Sequence, residues 1–341
     1  MKFAIIGCGR ISKNHVKAIA DNVDCMELVA LCDVNIEKTL VRKNEYLERV
    51  PKAEISMYED YKLMLEKEDI DVCAICTESG YHASIAIDCL NAGKHVLVEK
   101  PMAMSVEDAS EMIRIADENG LNLGVCHQNR FNPPIQRLRK AIEEGRFGKI
   151  INITARILWT RDMHYYEQAP WRGTKELDGG TLMNQCIHNI DLLQWMSQSE
   201  VKRVRCEKDT FMRDIEMEDF GAIMIRFDSG TIGMVEGSAC VYPKNLEETL
   251  SVFGEKGTVV IGGKAVNEVK TWNFEDSRDY DDFTDDTDID NVYGKGHTPL
   301  YRDFAEAVNE HRDSYISGKD GIKALNIILN AYEDAENHCA N

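Results

Sequence analysis

The stretch Lys2-Phe3-Ala4-Ile5-Ile6-Gly7-Cys8-Gly9-Arg10-Ile11-Ser12 decides the fold. A short apolar run meets a glycine turn, and the turn opens at once into a helix-like stretch from about Ile11 to Ala20. Gly7 permits a tight bend, Gly9 lets the backbone approach a pyrophosphate, and unpaired N–H groups at the helix start attract one. Ser12 stands where a third glycine is usual and is small enough for the same close packing. Leu28 to Cys32 then reads as a second strand with Asp33 at its end, roughly 20 residues beyond the glycines, where an acid binds the adenosine ribose hydroxyls. Such a carboxylate repels a 2′-phosphate, and neither Val34 nor Asn35 offers a cation to hold one. The expectation is NAD rather than NADP.

The alternation continues. Helical periodicity covers 36–49, a short strand lies near 55–57, a helix near 60–67, and a buried strand at 72–77 turns through Glu78-Ser79-Gly80-Tyr81-His82 into a helix at 83–91. The strand His95 to Val98, a helix over 106–119 and a strand over 121–126 complete six strands with helices between them, a doubly wound parallel sheet over residues 1–126. Glu99-Lys100-Pro101 follows the fifth strand directly. An ammonium at the end of a buried strand is costly unless something uses it, and ligands of open α/β sheets bind outside the carboxyl ends of the strands. A surface lysine after a strand is the plain alternative.

The chain of 341 residues is 43% hydrophobic, enough for two domains, and its formal charge of -19 (40 basic against 59 acidic residues) argues against nucleic acid or an anionic membrane as a partner. The start runs straight into a strand without the pattern of a signal peptide, and no apolar run is long enough to cross a membrane, so a cytoplasmic protein is expected. Of the 11 cysteines, Cys32, Cys89 and Cys126 sit in apolar runs, and Cys73-x-x-Cys76 lies within a buried-strand pattern with no second pair at zinc spacing. Core packing explains them, and no metal site is expected. The segment 275–290, with Asp279, Asp281, Asp282, Asp285, Asp286 and Asp288, lacks the central glycine of a calcium loop and reads as a solvated surface loop.

Residues 127–341 read as a second domain, with the packing of its C-terminal helices back on the first domain left open. His127-Gln128-Asn129-Arg130-Phe131 closes the sixth strand, and a helix follows Asn132. Alternating stretches from 148 to 159 and at 202–211, 219–227, 230–239, 247–253, 257–261 and 269–274 predict an open, mostly antiparallel sheet with helices on one face, an α+β domain. After Gly179-Gly180 a helix is expected over 181–197, with Asn184, His188 and Asp191 in one polar stripe that implies a partner. Between these features, Trp159-Thr160-Arg161-Asp162 and the run from Tyr165-Tyr166 through Trp171-Arg172 to Thr174 mix glycine, proline, aromatic residues and two arginines, as a binding loop does. The arginines fit an anionic ligand or protein carboxylates equally well. Thr298 is expected to cap a helix over 300–310, His297 reads as a residue of that capping loop, and a last amphipathic helix is expected over 321–337.

Gly7-x-Gly9 with Asp33, the turn from Thr77 to His82, Glu99-Lys100-Pro101, and Gly179-Gly180 leading to His188 together resemble the glucose-fructose oxidoreductase and inositol dehydrogenase (Gfo/Idh/MocA) family, over nearly the whole chain. The resemblance implies a Rossmann domain followed by a substrate domain, with Lys100 beside the nicotinamide and the substrate hydroxyl, and often a cis Lys-Pro peptide. Relatives usually carry aspartate four residues before the histidine. Here it is Asn184, which can orient a hydroxyl but cannot accept its proton, so His188 takes the acid/base role with help from Lys100. The implied cofactor contacts are Gly7, Gly9, Arg10, Ile11, Ser12, Asp33, Thr77, His82, Glu99, Lys100, Gln128, Trp171 and Arg172. The implied substrate contacts are Lys100, Asn129, Arg161, Tyr165, Tyr166, Asn184 and His188. The run Asn184-Gln185-x-Ile187-His188-Asn189-Ile190-Asp191 with the loop before it is similar to one branch of the family, acting on UDP-linked N-acetylglucosaminuronate. The implied activity is NAD-dependent oxidation of that nucleotide sugar at C-3, in a homodimer or homotetramer formed through the second sheet. Oxidation of another sugar or an inositol, NAD-dependent glycoside cleavage, and a non-catalytic regulator that binds NAD and a sugar stay open.

Overall fold

In chain order the elements of the computed structural model, which describes residues 1–282 and 294–339, begin with β1 (Lys2–Ile6), α1 (Ser12–Asp21), β2 (Glu27–Cys32), α2 (Ile36–Leu47), β3 (Ser56–Tyr58) and α3 (Tyr61–Lys67). Then come β4 (Val72–Ile75), α4 (His82–Asn91), β5 (His95–Val98), α5 (Val106–Asn119), β6 (Leu123–Val125) and α6 (Pro133–Glu143). They are followed by β7 (Ile150–Leu158), α7 (Met163–Glu167), α8 (Thr181–Asn184), α9 (Ile187–Ser197), β8 (Val201–Asp209), β9 (Phe220–Phe227) and β10 (Ile232–Ser238). The last are β11 (Glu247–Gly254), β12 (Gly257–Gly262), β13 (Glu268–Phe274), α10 (His297–Glu310) and α11 (Gly318–Cys339). The chain forms two compact units, Met1–His127 with His297–Ile322, and Gln128–Gly296 with Lys323–Asn341. The segment from His297 to Ile322 thus belongs to the first unit.

The first unit is a parallel sheet of order β3-β2-β1-β4-β5-β6. Its central strands are buried on both faces, which is why Phe3-Ala4-Ile5 and Val72-Cys73-Ala74-Ile75 are continuous apolar runs. Strand order reverses between β1 and β4, the place where such sheets open a ligand crevice at their carboxyl ends. Gly7 has φ +92°, and a Cβ there would stand 2.6 Å from the backbone of Cys76 and Thr77, so only glycine lets the turn after β1 lie against the turn after β4. The late segment completes this unit. Ile316 O accepts Val125 N–H at 3.1 Å, covering the open edge of β6, and Phe3 packs on Tyr301 with ring centroids 5.4 Å apart. Thr298 does not cap α10, as expected, but lies inside it, its hydroxyl donating to Asp21 at 2.9 Å.

The second unit is a seven-stranded sheet of order β13-β12-β11-β7-β10-β9-β8, antiparallel except between β7 and β10. Ile153, Ala155, Ile157, Ile225, Leu250 and Val252 are buried on its inner face, against which α9 packs. The helix expected over 181–197 is two helices. Gln185 and Cys186 both direct their N–H to Thr181 O, at 3.0 Å each, which inserts an extra residue into the turn. The break sits over Gly237, where a Cβ would meet Cys186 Sγ at 2.5 Å; Gly221 and Gly233 give Leu182 and Leu193 the same room. Apolar periodicity continues through the break and could not reveal it.

Asp191 departs from the expected stripe. It is 1% exposed and bound by both Nε and Nη2 of Arg130, at 2.8 and 2.6 Å, so its partner is a buried guanidinium 61 residues away. The acidic segment also differs from a merely solvated loop at its start. Asp281 and Asp276 hold the buried Arg146, which with Trp272 N–H keeps the Asp281 carboxyl down at about 2. Asp285, Asp286 and Asp288 lie outside the described residues. Among the described residues no helix is long and apolar enough to cross a membrane.

Buried charge leads to two expectations for stability. Asp191→Asn leaves the Arg130 guanidinium without its carboxylate and costs about 3–5 kcal/mol, read by chemical denaturation. On β11, Glu248 is 3% exposed beside Asn189, and burial pushes its carboxyl up to about 8 against the opposing pull of Asn189 and Arg161. Below the unfolded value near 4.5 both states hold the proton; between 4.5 and about 8 only the folded state does, and stability falls across that window until the folded carboxyl also ionises. Glu248→Gln should therefore match wild type in stability near pH 4 and exceed it increasingly up to about pH 8, by on the order of 5 kcal/mol at the limit, read by melting temperature and chemical denaturation.

Candidate active site

The expected site residues fall into two sets, one in each unit. In the first, Gly7, Gly9, Arg10, Ile11 and Ser12 form the turn into α1, and Asp33, Thr77 and Lys100 stand just beyond β2, β4 and β5, all at the carboxyl edge of the sheet. A Cβ on Gly9 would meet nothing within 4 Å, so there is open space over the turn for a diphosphate to approach. Ser12 is fully buried and its hydroxyl donates to Gly9 O at 2.7 Å, bracing the turn from behind. Asp33 accepts Cys8 N–H at 2.8 Å and Asn35 N–H at 2.9 Å, which ties the end of β2 to the glycine turn, with Lys38 Nζ 3.7 Å away. These residues fit a dinucleotide: a close-approach glycine, a helix amino end and an acid at the ribose position.

His82 and Glu99 differ from direct cofactor contacts. The His82 ring is 1% exposed, its nitrogens 2.7 Å from Pro101 O and 3.1 Å from Thr77 O, and burial lowers its pKa against the opposing pull of the two carbonyls. It clamps the turn after β4 to the cis Lys100-Pro101 peptide. The Glu99 carboxylate is 5% exposed and turned into the core. One oxygen accepts His15 Nε2–H at 2.9 Å and the other accepts Lys100 N–H at 3.1 Å, while His297 Nε2 stands 3.7 Å away. Burial opposes the charge, yet His15 and His297 hold Glu99 well below the usual carboxylate range. Because Glu99 can only accept, His15 carries its proton on Nε2, and its Nδ1 accepts Tyr301 O–H at 2.6 Å. Cys126 also lies near enough to His15 and Glu99 for the three to surround an ion. Both His15 nitrogens are already hydrogen-bonded, however, and burial pushes the thiol pKa far up, so the cluster reads as a proton-fixed network. His15 and Tyr301 escaped sequence reasoning because their helices are separated by almost the whole chain, and His297, read there as a capping-loop residue, is the first residue of α10.

In the second unit, Gln128 and Asn129 lie in a 3₁₀ turn, both 2% exposed. Trp159, Arg161, Tyr165, Arg172 and Trp171 form a ladder of alternating rings and guanidinium groups. Arg161 lies 4.7 Å from the Trp159 ring and 5.1 Å from Tyr165; Arg172 lies 4.2 Å from Tyr165 and 4.8 Å from Trp171. Tyr166 packs edge-on against Tyr165 at 5.1 Å and is buried. Arg161 donates to Thr160 O at 2.7 Å, and neither arginine makes an ion pair with a carboxylate among the described residues. Asn184 ends α8 and His188 lies in the first turn of α9, both partly exposed.

What holds α8 was not visible in the sequence. Glu218, 1% exposed, accepts Leu182 N–H and Tyr332 O–H, each at 2.9 Å, and burial raises its pKa. It occupies the space that a Cβ on Gly180 would need, which gives the second glycine of Gly179-Gly180 a physical reason. The Asn184 amide donates to Asp178, a carboxylate 1% exposed in the preceding loop.

Comparison with known proteins extends these observations. Residues 1–127 match the model described as "Oxidoreductase family, NAD-binding Rossmann fold", and residues 135–260 match the GFO/IDH/MocA C-terminal domain. The chain is similar to the solved WlbA dehydrogenase of Bordetella pertussis in complex with NADH and UDP-GlcNAcA, at 36% identity, TM-score 0.88, and coverage of 99% of this chain and 97% of that one. Its counterpart from Chromobacterium violaceum, with the same ligands, gives 36% identity, TM-score 0.88, and 99% and 94% coverage. The myo-inositol 2-dehydrogenase of Thermotoga maritima is 27% identical over 267 residues, 76% of this chain and 74% of that protein. Matched in both units by this family's models, and over nearly its full length by a solved dehydrogenase, the chain belongs to the Gfo/Idh/MocA family and is an NAD-dependent oxidoreductase.

Proposed function

We propose that this NAD-dependent sugar dehydrogenase oxidises the C-3 hydroxyl of a UDP-linked N-acetylated uronate, as a step toward a surface polysaccharide or related glycan. The observation that carries the reading is the 36% identity over 99% of the chain to a dehydrogenase solved with NADH and UDP-GlcNAcA. The ladder of Arg161 and Arg172 supports it, since two guanidinium groups that make no ion pair with a carboxylate among the described residues suit a ligand bearing a diphosphate and a carboxylate. NAD, when bound, supplies the hydride acceptor. His188, partly exposed in the first turn of α9, takes the hydroxyl proton. Lys100 donates to the sugar oxygen and stabilises its developing charge, and its backbone is held from behind by Glu99. Asn184 orients the hydroxyl. Gly7, Gly9, Arg10, Ile11 and Asp33 hold the dinucleotide, while Ser12, His82 and Glu99 shape its seat.

The outer face of the second sheet supports assembly with further copies of the chain. Met224 and Met234 pair across β9 and β10 and are 56% and 37% exposed, beside an Arg156–Glu236 ion pair at 2.8 Å. A homodimer or homotetramer through this face is the expected state, read by light scattering.

Incubation with NAD and UDP-N-acetylglucosaminuronic acid, with an electron acceptor added to recycle tightly held NADH, should give nicotinamide absorbance changes or acceptor reduction. Turnover with an inositol and none with the nucleotide sugar would overturn the substrate; no turnover with any sugar would favour a regulator. Lys100→Ala and His188→Ala should each lower kcat by about 10³-fold or more without loss of bound NAD, measured by steady-state kinetics and fluorescence titration. Wild-type rates in either variant would remove that residue from the chemistry.

A further inference from the structure

The loop carrying Trp171 and Arg172 and the helix pair carrying Asn184 and His188 share one buried acid. Asp178 is 1% exposed, too deep for solvent to satisfy its charge, so its partners define its role. Oδ2 accepts Gly173 N–H at 2.6 Å, at the foot of the arginine-aromatic loop, and Oδ1 accepts the Nδ2–H of Asn184 at the end of α8. The intervening chain is folded tightly to make this possible. Asp178 N–H and Gly179 N–H both point to Thr174 O, at 3.3 and 2.9 Å, and Gly173 and Gly179 have φ of +73° and +75°. On the far side of the amide, Gln185 Nε2 donates to Asn184 Oδ1 at 3.2 Å and lies 3.5 Å from Tyr165 Oη, whose ring is the middle rung of the ladder. The amide is therefore held from both ends, nitrogen toward Asp178 and oxygen toward Gln185.

We infer that Asp178 is a positioning residue for the reaction: it sets the orientation of the Asn184 amide ahead of His188 and links that amide to the arginine-aromatic loop. Its partner must be an amide and not an acid, because a carboxylate at 184 would face the carboxylate of Asp178 in a buried setting. This inference rests on the function proposed above and adds a residue to it.

The pair can be inverted. In Asp178→Asn the new side chain can still accept Gly173 N–H, but its NH2 group confronts that of Asn184 and forces the amide round. In Asn184→Asp two carboxylates confront each other. In the double variant Asp178→Asn/Asn184→Asp the bond re-forms in the opposite sense, the new amide at position 178 donating to the new carboxylate at position 184, with the Gly173 contact kept. With the NAD-loaded full chain and UDP-N-acetylglucosaminuronic acid, each single variant should lose about tenfold or more in kcat with KM changed far less, and the double variant should recover most of the loss. Melting temperatures should follow the same cycle, both singles lowered and the double raised above either.

Independent effects, with the double variant as impaired as the product of the singles, would overturn the pairing. A lowered melting temperature with wild-type kcat in Asp178→Asn would overturn the positioning role and leave a purely structural one. If the wild-type chain turns over a different sugar, the substrate proposed above fails while the same cycle, run on that sugar, still decides the pair. If no sugar is turned over, the positioning role fails with the function, and the melting cycle shows whether the bond itself is real.

Discussion

A carboxylate buried as deeply as Glu99 stays charged only where its neighbours are arranged for it, and the first unit is organised around that requirement. Its two oxygens divide the work. One is held by His15 Nε2–H, with His15 Nδ1 in turn accepting Tyr301 O–H; the other takes the backbone N–H of Lys100. The lysine at the end of β5 thus has its main chain gripped from inside the core, while His82 grips the carbonyl of the next residue. Moving the Lys100 backbone out of place would mean breaking buried, charge-assisted hydrogen bonds, so this lysine stands on one of the least yielding parts of the unit.

The second unit solves the same problem with different materials. Its candidate residues lie at a helix break, a less regular place than a strand end, and are fixed by acids from outside the helix. Glu218 satisfies the start of α8, Asp178 takes the amide at its end, and Asp191 anchors α9 through Arg130. Three glycines on β9 and β10 let the helices settle onto the sheet closely enough for these contacts to form. In a chain of net charge -19, the acids that matter most structurally are among those withdrawn from solvent.

Much of this was legible in the residues. Parallel strands buried on both faces are continuous apolar runs, so β1, β4 and β5 could be placed within a residue or two, and Gly7, Asp33 and Lys100 stood out because their types fit the ends of such strands. The alternation of the second sheet was equally plain. Three things were hidden. The break between α8 and α9 is imposed by contact with Gly237 and leaves the periodicity intact. The polar stripe suggested one shared role for Asn184, His188 and Asp191, whereas Asp191 answers to an arginine 61 residues away. His15 and Tyr301 pair across 286 positions, and no local pattern announces a contact between a buried histidine and a distant tyrosine.

The return of His297–Ile322 to the first unit bears on how the protein is made. During synthesis the first 127 residues emerge with β6 open along its edge and Glu99 lacking Tyr301 and His297. The residues that close both gaps are translated only after the whole seven-stranded sheet. At ordinary elongation rates of about 5–20 residues per second, this leaves an interval on the order of ten seconds or more in which the nucleotide-binding half waits for its own last pieces. The two units are consecutive in most of their sequence but interleaved at the end: the one begun first cannot finish until the whole sheet of the other has been translated.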